Sequence, residues 1–160
     1  MNIRRAKEAD VDRMWQIMKP VIAGGDTYTF EPDASKSDVL SYWMNDRHHV
    51  FVAVEGQDIW GTYMIKDNQP GPGSHVANAG FMVSPRARSR GVGYQMGEHA
   101  LLTAKELGYK FMQFNMVVST NEPAVALWQK LGFEIIGALP KSFNHKHLGL
   151  TDAYVMYREL

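Results

Sequence analysis

The chain has 160 residues, the size of one domain, and 1–160 is read as a single unit. Its 17 Lys and Arg balance 17 Asp and Glu, so no bulk charge favours nucleic acid or an anionic membrane, and neither is expected as a partner. Cysteine is absent, which excludes disulfides, thiolate metal sites and a cysteine nucleophile, and fits a cytoplasmic protein. The first eight residues carry charges where a signal peptide needs an apolar stretch, and the longest uncharged run, 68–85, is broken by Pro and Gly.

Residues 2–5 are expected as a short strand. Residues 8–19 have helical spacing, with Val11, Met14, Trp15 and Met18 on one face. Pro20 should end or kink that helix, and Gly24-Gly25 should stop any continuation. Residues 26–32 form a loop rich in Thr and aromatics. Ser35 or Ser37 can cap a second helix ending near Asn45. Two apolar strands, 50–54 and 59–66, flank a hairpin turn at Glu55-Gly56-Gln57-Asp58. Another turn, Pro70-Gly71-Pro72-Gly73, leads into a strand at 75–83.

The period then changes. Residues 91–107 are helical, with Met96, Ala100, Ala104 and Leu107 inward, and Gly108 stops them. A strand at 111–118 follows. Asn121 can cap a short helix with Pro123 in its first turn and Ala124, Leu127, Trp128 and Leu131 buried. Strands at 133–138 and 153–157 complete the pattern. The order is β-α-α-β-β-β-α-β-α-β-β, with antiparallel hairpins around one β-α-β unit. This is an α/β (α+β) arrangement on a mixed, mostly antiparallel sheet of about seven strands with about four helices.

The strongest local signal is the segment 83–93, Val83-Ser84-Pro85-Arg86-Ala87-Arg88-Ser89-Arg90-Gly91-Val92-Gly93, which leaves a strand and opens a helix. Helix N-termini present unpaired N–H groups and a positive dipole end, and both favour phosphate. Glycines allow close backbone approach, and arginines add bidentate donors. Gly91-x-Gly93 with Gly97 is also near the dinucleotide-binding pattern. Against that alternative, the loop follows several strands, Glu122 starts a helix rather than ending a strand, and too little chain follows for a second nucleotide-binding half.

Arg88-x-x-Gly91-x-Gly93 resembles the pyrophosphate-binding motif of the GCN5-related N-acetyltransferase superfamily. Asn121-x-x-Ala124-x-x-Leu127-Trp128-x-x-Leu131-Gly132-Phe133 is similar to the next helix of that family. The element order matches from end to end. The resemblance implies acetyl-coenzyme A as co-substrate, a sheet splayed into a V, and direct acetyl transfer to an amine without a metal. Residues 88–94 (Arg88, Ser89, Arg90, Gly91, Val92, Gly93 and Tyr94) would hold the pyrophosphate. The amides of Phe81 and Val83 would face the thioester carbonyl, with Gly80 marking a bulge or a close approach in their strand.

Where the family often has a tyrosine that protonates the departing thiolate, this chain has Trp128. Indole is too weak an acid for that step, so Trp128 reads as packing. Asn121 is the substitute, donating its side-chain amide to the coenzyme A sulfur; its competing role is a helix cap. Asn78, Asn115 and Asn121 are neutral amides that need partners. Phe114-Asn115-x-Val117 with Asn78-x-x-Phe81 is similar to fungal N-acetyltransferases of L-azetidine-2-carboxylate and related proline analogues. That likeness implies a small amino acid held by Asn78 and by backbone near Asn115 and Met116. The loop 27–32 resembles the substrate loop of acetyltransferases related to phosphinothricin acetyltransferase, so Tyr28 and Phe30 are expected to wall the pocket. Glu31 is the candidate general base, with His75 behind it. A protein or peptide acceptor, a non-catalytic acyl-coenzyme A sensor and a homodimer stay open. His48-His49 and His145-x-His147 lack the acidic partners of a metal site.

Overall fold

The computed structural model describes all residues from Met1 to Leu160. Seven strands form one sheet: β1 (Asn2–Arg5), β2 (His49–Glu55), β3 (Asp58–Asp67), β4 (Val76–Val83), β5 (Phe111–Val118), β6 (Glu134–His145) and β7 (Gly149–Glu159). Their order is β1-β2-β3-β4-β5-β7-β6. Every neighbouring pair is antiparallel except β4 and β5, which are parallel. This is the expected mixed sheet, and it is not the parallel sheet that a dinucleotide-binding fold requires. The helices are α1 (Val11–Ala23), α2 (Lys36–Trp43), α3 (Val92–Glu106) and α4 (Glu122–Lys130).

Each face of the sheet carries its own core. Helices α3 and α4 cover one face, where Met96, Ala100, Trp128 and Leu131 meet Tyr63, Ala79, Phe114 and Met156. Helices α1 and α2 cover the other, where Met14, Met18, Ile22 and Trp43 meet Val50, Val52, Met64 and Met82. No helix is long and apolar enough to cross a membrane.

Several local expectations change. Pro20 does not end α1, which continues to Ala23. The proline ring sits on the exposed side, while Ile22, four residues beyond buried Met18, is drawn into the core. Burial of that turn outweighs one lost N–H. The helix starts later than expected because a 3-10 turn at Glu8–Asp10 precedes it. There the Asp10 carboxylate accepts from the Lys7 N–H at 2.8 Å and from both Arg4 nitrogens at 2.7 and 2.9 Å. Ser35, not Ser37, caps α2 by accepting from the Asp38 N–H at 3.0 Å.

The last hairpin is far longer than the alternation at 133–138 and 153–157 predicts. Strand β6 runs on to His145 although nearly all its side chains are exposed and only Phe143 is buried. A strand with no core face has no period-2 signature to read. Pro140 is tolerated because β6 is the edge strand and its register shifts between Leu139 and Phe143.

Candidate active site

The site begins where two parallel strands part. β4 and β5 pair only at Val76↔Phe111 and Ala77↔Met112. Beyond Ala77 the β5-facing edge of β4 has no strand partner, which gives the sheet its V. The alternation of β4 decides which groups are left bare. The Val76 carbonyl accepts from Asn68 on the β3 side, and the Ser84 N–H donates to Trp60 on the same side. Even-numbered residues therefore point their backbone at β3, and Phe81 and Val83 point theirs into the split. The Phe81 carbonyl is taken by the Tyr28 hydroxyl, which donates to it at 2.7 Å. The Phe81 and Val83 N–H groups stay directed at the opening.

Gly80 marks a close approach and not a bulge. The β3/β4 register runs unshifted from Gly61↔Val83 to Asp67↔Ala77. A Cβ on Gly80 would lie 3.2 Å from both the Trp43 ring and the Tyr28 hydroxyl. The bulge lies across the split on β5, where the register to β7 shifts between Phe114 and Val117, at Asn115 and Met116.

The β4–α3 connection forms the second part of the site. Gly91 has φ +71° and ψ 12° at the N-terminus of α3, a left-handed conformation natural to glycine. The first helical amides, Val92, Gly93 and Tyr94, precede the first intrahelical bond, which Gln95 donates to the Gly91 carbonyl at 3.0 Å. Arg90 is committed elsewhere. Its N–H donates to Ala87 at 3.2 Å, its guanidinium pairs with Glu55 at 2.6 Å and it stacks on the Trp60 ring at 4.4 Å. Arg88 and Ser89 are exposed beside the amides. Gly93 and Gly97 serve packing: a Cβ there would lie 3.2 Å from Leu127 and 2.4 Å from Leu131, so they let α3 settle against α4.

Trp128 is buried against Phe81 and Phe114, with ring centroids 4.8 and 4.7 Å apart, which is the packing position expected of it. The Phe81 side chain belongs to the same cluster, so only its backbone faces the split. Asn121 occupies the N-cap position of α4, yet its side chain accepts no helix N–H. Its backbone carbonyl takes the Ala124 and Val125 amides at 3.0 and 3.1 Å. Asn121 is one of the residues lining a cavity of about 220 Å³, with Asp26, Thr27, Thr120, Pro123 and His145.

The remaining candidates are spread around this centre. Tyr28 and Phe30 stack at 6.2 Å, and Tyr28 meets the Trp43 ring edge-on at 6.1 Å. They belong to the aromatic margin of the α1/α2 core and do not line the 220 Å³ cavity. Burial raises the Tyr28 phenol above the ordinary tyrosine range and keeps it a neutral donor. Asn78 donates to the Asn68 side chain at 3.3 Å. Asn115 is exposed and accepts from Gln113 at 2.9 Å; Met116 is half-buried beside it. Glu31 is exposed and lies outside the cavity lining. His75 is exposed, with Nδ1 at 3.1 Å from the Pro72 carbonyl. His48 and His49 have separate partners, the Trp43 carbonyl and Arg5.

Asp26, Thr27, Thr120, Pro123 and His145 are the cavity residues that sequence reasoning did not assign to a site. Asp26 and Thr27 begin the loop already singled out, and Thr120 adjoins Asn121. For His145 the one local signal, the spacing His145-x-His147, raised a metal pair and not this cavity, because its place depends on the β6–β7 tip docking on the end of α1. Lys146 makes that contact by donating its N–H to Gly25 and its ammonium to Ala23, both at 3.0 Å.

The profile of the acetyltransferase (GNAT) family matches residues 12–133, which run from α1 through the split strands to the turn after α4. The chain belongs to this family. A GCN5-related N-acetyltransferase from Kribbella flavida has the same GNAT fold, with TM-score 0.94, 37% identity and coverage of 99% of this chain and 97% of that one. The N-acetyltransferase aca1 of Schizosaccharomyces pombe is 40% identical over 96 residues, 59% of this chain and 46% of the relative, so the match spans less than half of that protein. A phosphinothricin acetyltransferase from Sinorhizobium meliloti, solved with acetyl-coenzyme A, shares the GNAT fold at TM-score 0.87 and 21% identity, covering 99% of this chain and 88% of that one.

Proposed function

We propose that this protein transfers the acetyl group of acetyl-coenzyme A to the amine of a small amino acid or amino-acid analogue. The observation that carries the reading is the split between β4 and β5, with the Phe81 and Val83 amides bare beside the open N-terminus of α3. One stretch of chain thus offers an anion-binding helix end and, one strand away, two donors for a carbonyl oxygen.

Acetyl-coenzyme A supplies an activated thioester. Val92, Gly93 and Tyr94 offer their amides to the pyrophosphate, assisted by Arg88 and Ser89. The Phe81 and Val83 N–H groups face the thioester carbonyl and stabilise the charge that develops on its oxygen. Asn121, free of a capping bond, donates its amide to the departing sulfur. Attack by the neutral amine forms the C–N bond, the C–S bond breaks, and the proton lost by nitrogen leaves through a carboxylate or water. Trp128 holds α4 against β4 and β5 and takes no proton. Tyr28 secures the acceptor loop to Phe81, Asn115 and Met116 lie across the split on β5, and Asn78 stands where the split begins.

The likeness to acetyltransferases of proline analogues supports L-azetidine-2-carboxylate and proline analogues as the first acceptors to try. The test is release of free coenzyme A across a panel of amino acids, polyamines and histone-like peptides. Fastest turnover with cyclic or short α-amino acids is expected. Fastest turnover with polyamines or peptides would overturn the acceptor class, and binding of acetyl-coenzyme A without turnover would overturn the enzyme.

A further inference from the structure

The turn that carries the chain from β4 into α3 is held from outside by the β2–β3 hairpin. Ser89 has φ +62°, a left-handed conformation that an L side chain adopts at a cost. Gly91 has φ +71°, two residues on. Arg90 stands between these two left-handed residues, and its side chain reaches the hairpin. The guanidinium pairs with Glu55 at 2.6 Å and lies 4.4 Å from the centre of the Trp60 ring. Arg86, at the other end of the turn, lies over the same ring at 5.4 Å. The sheet fixes the backbone of Trp60, because the Ser84 N–H donates to its carbonyl at 2.8 Å and the next residue, Gly61, pairs with Val83. Arg90 thus has its charge matched by a carboxylate and its guanidinium set over an aromatic ring.

We infer that Arg90 is a positioning residue: clamped by Glu55 and Trp60, it holds the strained turn so that the Val92, Gly93 and Tyr94 amides are set for an anion before one arrives. The inference rests on the acetyl-coenzyme A reading above. It gives Arg90 a role apart from that of Arg88 and Ser89, which are exposed beside the amides. The rival role for an arginine here is direct contact with the pyrophosphate, and the two roles predict opposite signs at Glu55. If Arg90 held the phosphate, Glu55 would compete for it, and removing the carboxylate would tighten binding. If Arg90 clamps the turn, removing the carboxylate costs preorganisation. Binding then weakens although a negative charge near a polyanion has gone.

Calorimetric titration of acetyl-coenzyme A into the full chain tests the sign. Glu55→Gln should raise Kd about 2- to 5-fold and Arg90→Gln about 3- to 20-fold, as expected for loss of an exposed ion pair and for loss of the pair with its ring contact. In the Arg90→Gln background the Glu55→Gln effect should vanish, because both changes break one clamp. Asp58→Asn removes a charge opposite Glu55 in the same hairpin, and Kd should stay the same or fall. Amide hydrogen exchange across residues 86–94 of the ligand-free protein should quicken in Glu55→Gln and in Arg90→Gln, which loss of a direct phosphate contact would not produce. Unchanged or tighter binding by Glu55→Gln, or independent effects in the double variant, overturns the clamp and leaves the cofactor reading in place. A wild-type protein that does not bind acetyl-coenzyme A overturns the cofactor reading, and the clamp with it.

Discussion

Lys146 and Gly25, 121 positions apart in sequence, are joined by a backbone hydrogen bond of 3.0 Å. The contact sets the tip of the β6–β7 hairpin on the end of α1, and it needs a glycine. Gly25 has φ +61°, and a Cβ there would lie 2.8 Å from the Lys146 Cβ. Gly25→Ala combines left-handed strain with a clash between two backbone-anchored atoms. We expect a loss of about 1 to 3 kcal/mol in urea unfolding. KM for the proposed acceptor should rise, because the hairpin carries one wall of the cavity that Asn121 also lines, while acetyl-coenzyme A affinity holds. Unchanged stability and unchanged KM would show that the tip does not close the site.

Acetyl-coenzyme A is expected to stabilise the protein, and NAD(P) is not. At a concentration 100 times its Kd the ligand contributes about 2.7 kcal/mol, a rise in Tm of about 5 to 10 °C for a domain of this size. Gly91→Asp should abolish most of that rise. It forces a side chain onto φ +71° and sets a negative charge beside the amides proposed to hold the pyrophosphate. Thermal shift with each ligand is the measurement, and stabilisation by NAD(P) alone would reverse the cofactor assignment.

Asn121→Ala should lower kcat by about one to two decades through loss of the donor to the developing thiolate. Its effect on stability should be small, because the side chain makes no capping bond. Trp128→Phe should do the opposite, keeping most turnover and losing about 1 to 2 kcal/mol of packing against Phe81 and Phe114. If the kinetic and stability effects exchange places, the two roles exchange with them.

Tyr28→Phe leaves the Phe81 carbonyl without its 2.7 Å donor and should cost about 1 to 3 kcal/mol. The same residue predicts an alkaline limit. Burial raises the phenols of Tyr28 and Tyr63 in the folded state. The stability they contribute is fully present below the unfolded tyrosine value of about 10 and is lost as pH rises from there towards the raised folded values. Urea unfolding at pH 8, 10 and 11 should show this fall, and a shallower one for Tyr28→Phe.

The chain's own patterning determined much of this protein. Apolar spacing located α3, β5 and α4, because each buries a continuous face and so repeats at 3.6 or 2 residues. Glycines between β4 and α3 marked the turn that opens α3, because the left-handed φ of Gly91 and the free amides of a helix start are local properties. Trp128 was readable as packing from the chemistry of indole, and it is buried against Phe81 and Phe114. Tertiary structure decided the rest. Whether Arg90 stays free depended on Glu55 and Trp60, which come from another hairpin. Whether Asn121 caps its helix depended on side-chain direction. The full length of β6 was hidden because an exposed edge strand has no buried face. The cavity joins residues 26–27, 120–123 and 145, and no local pattern joins three segments that meet only when the last hairpin docks on the first helix.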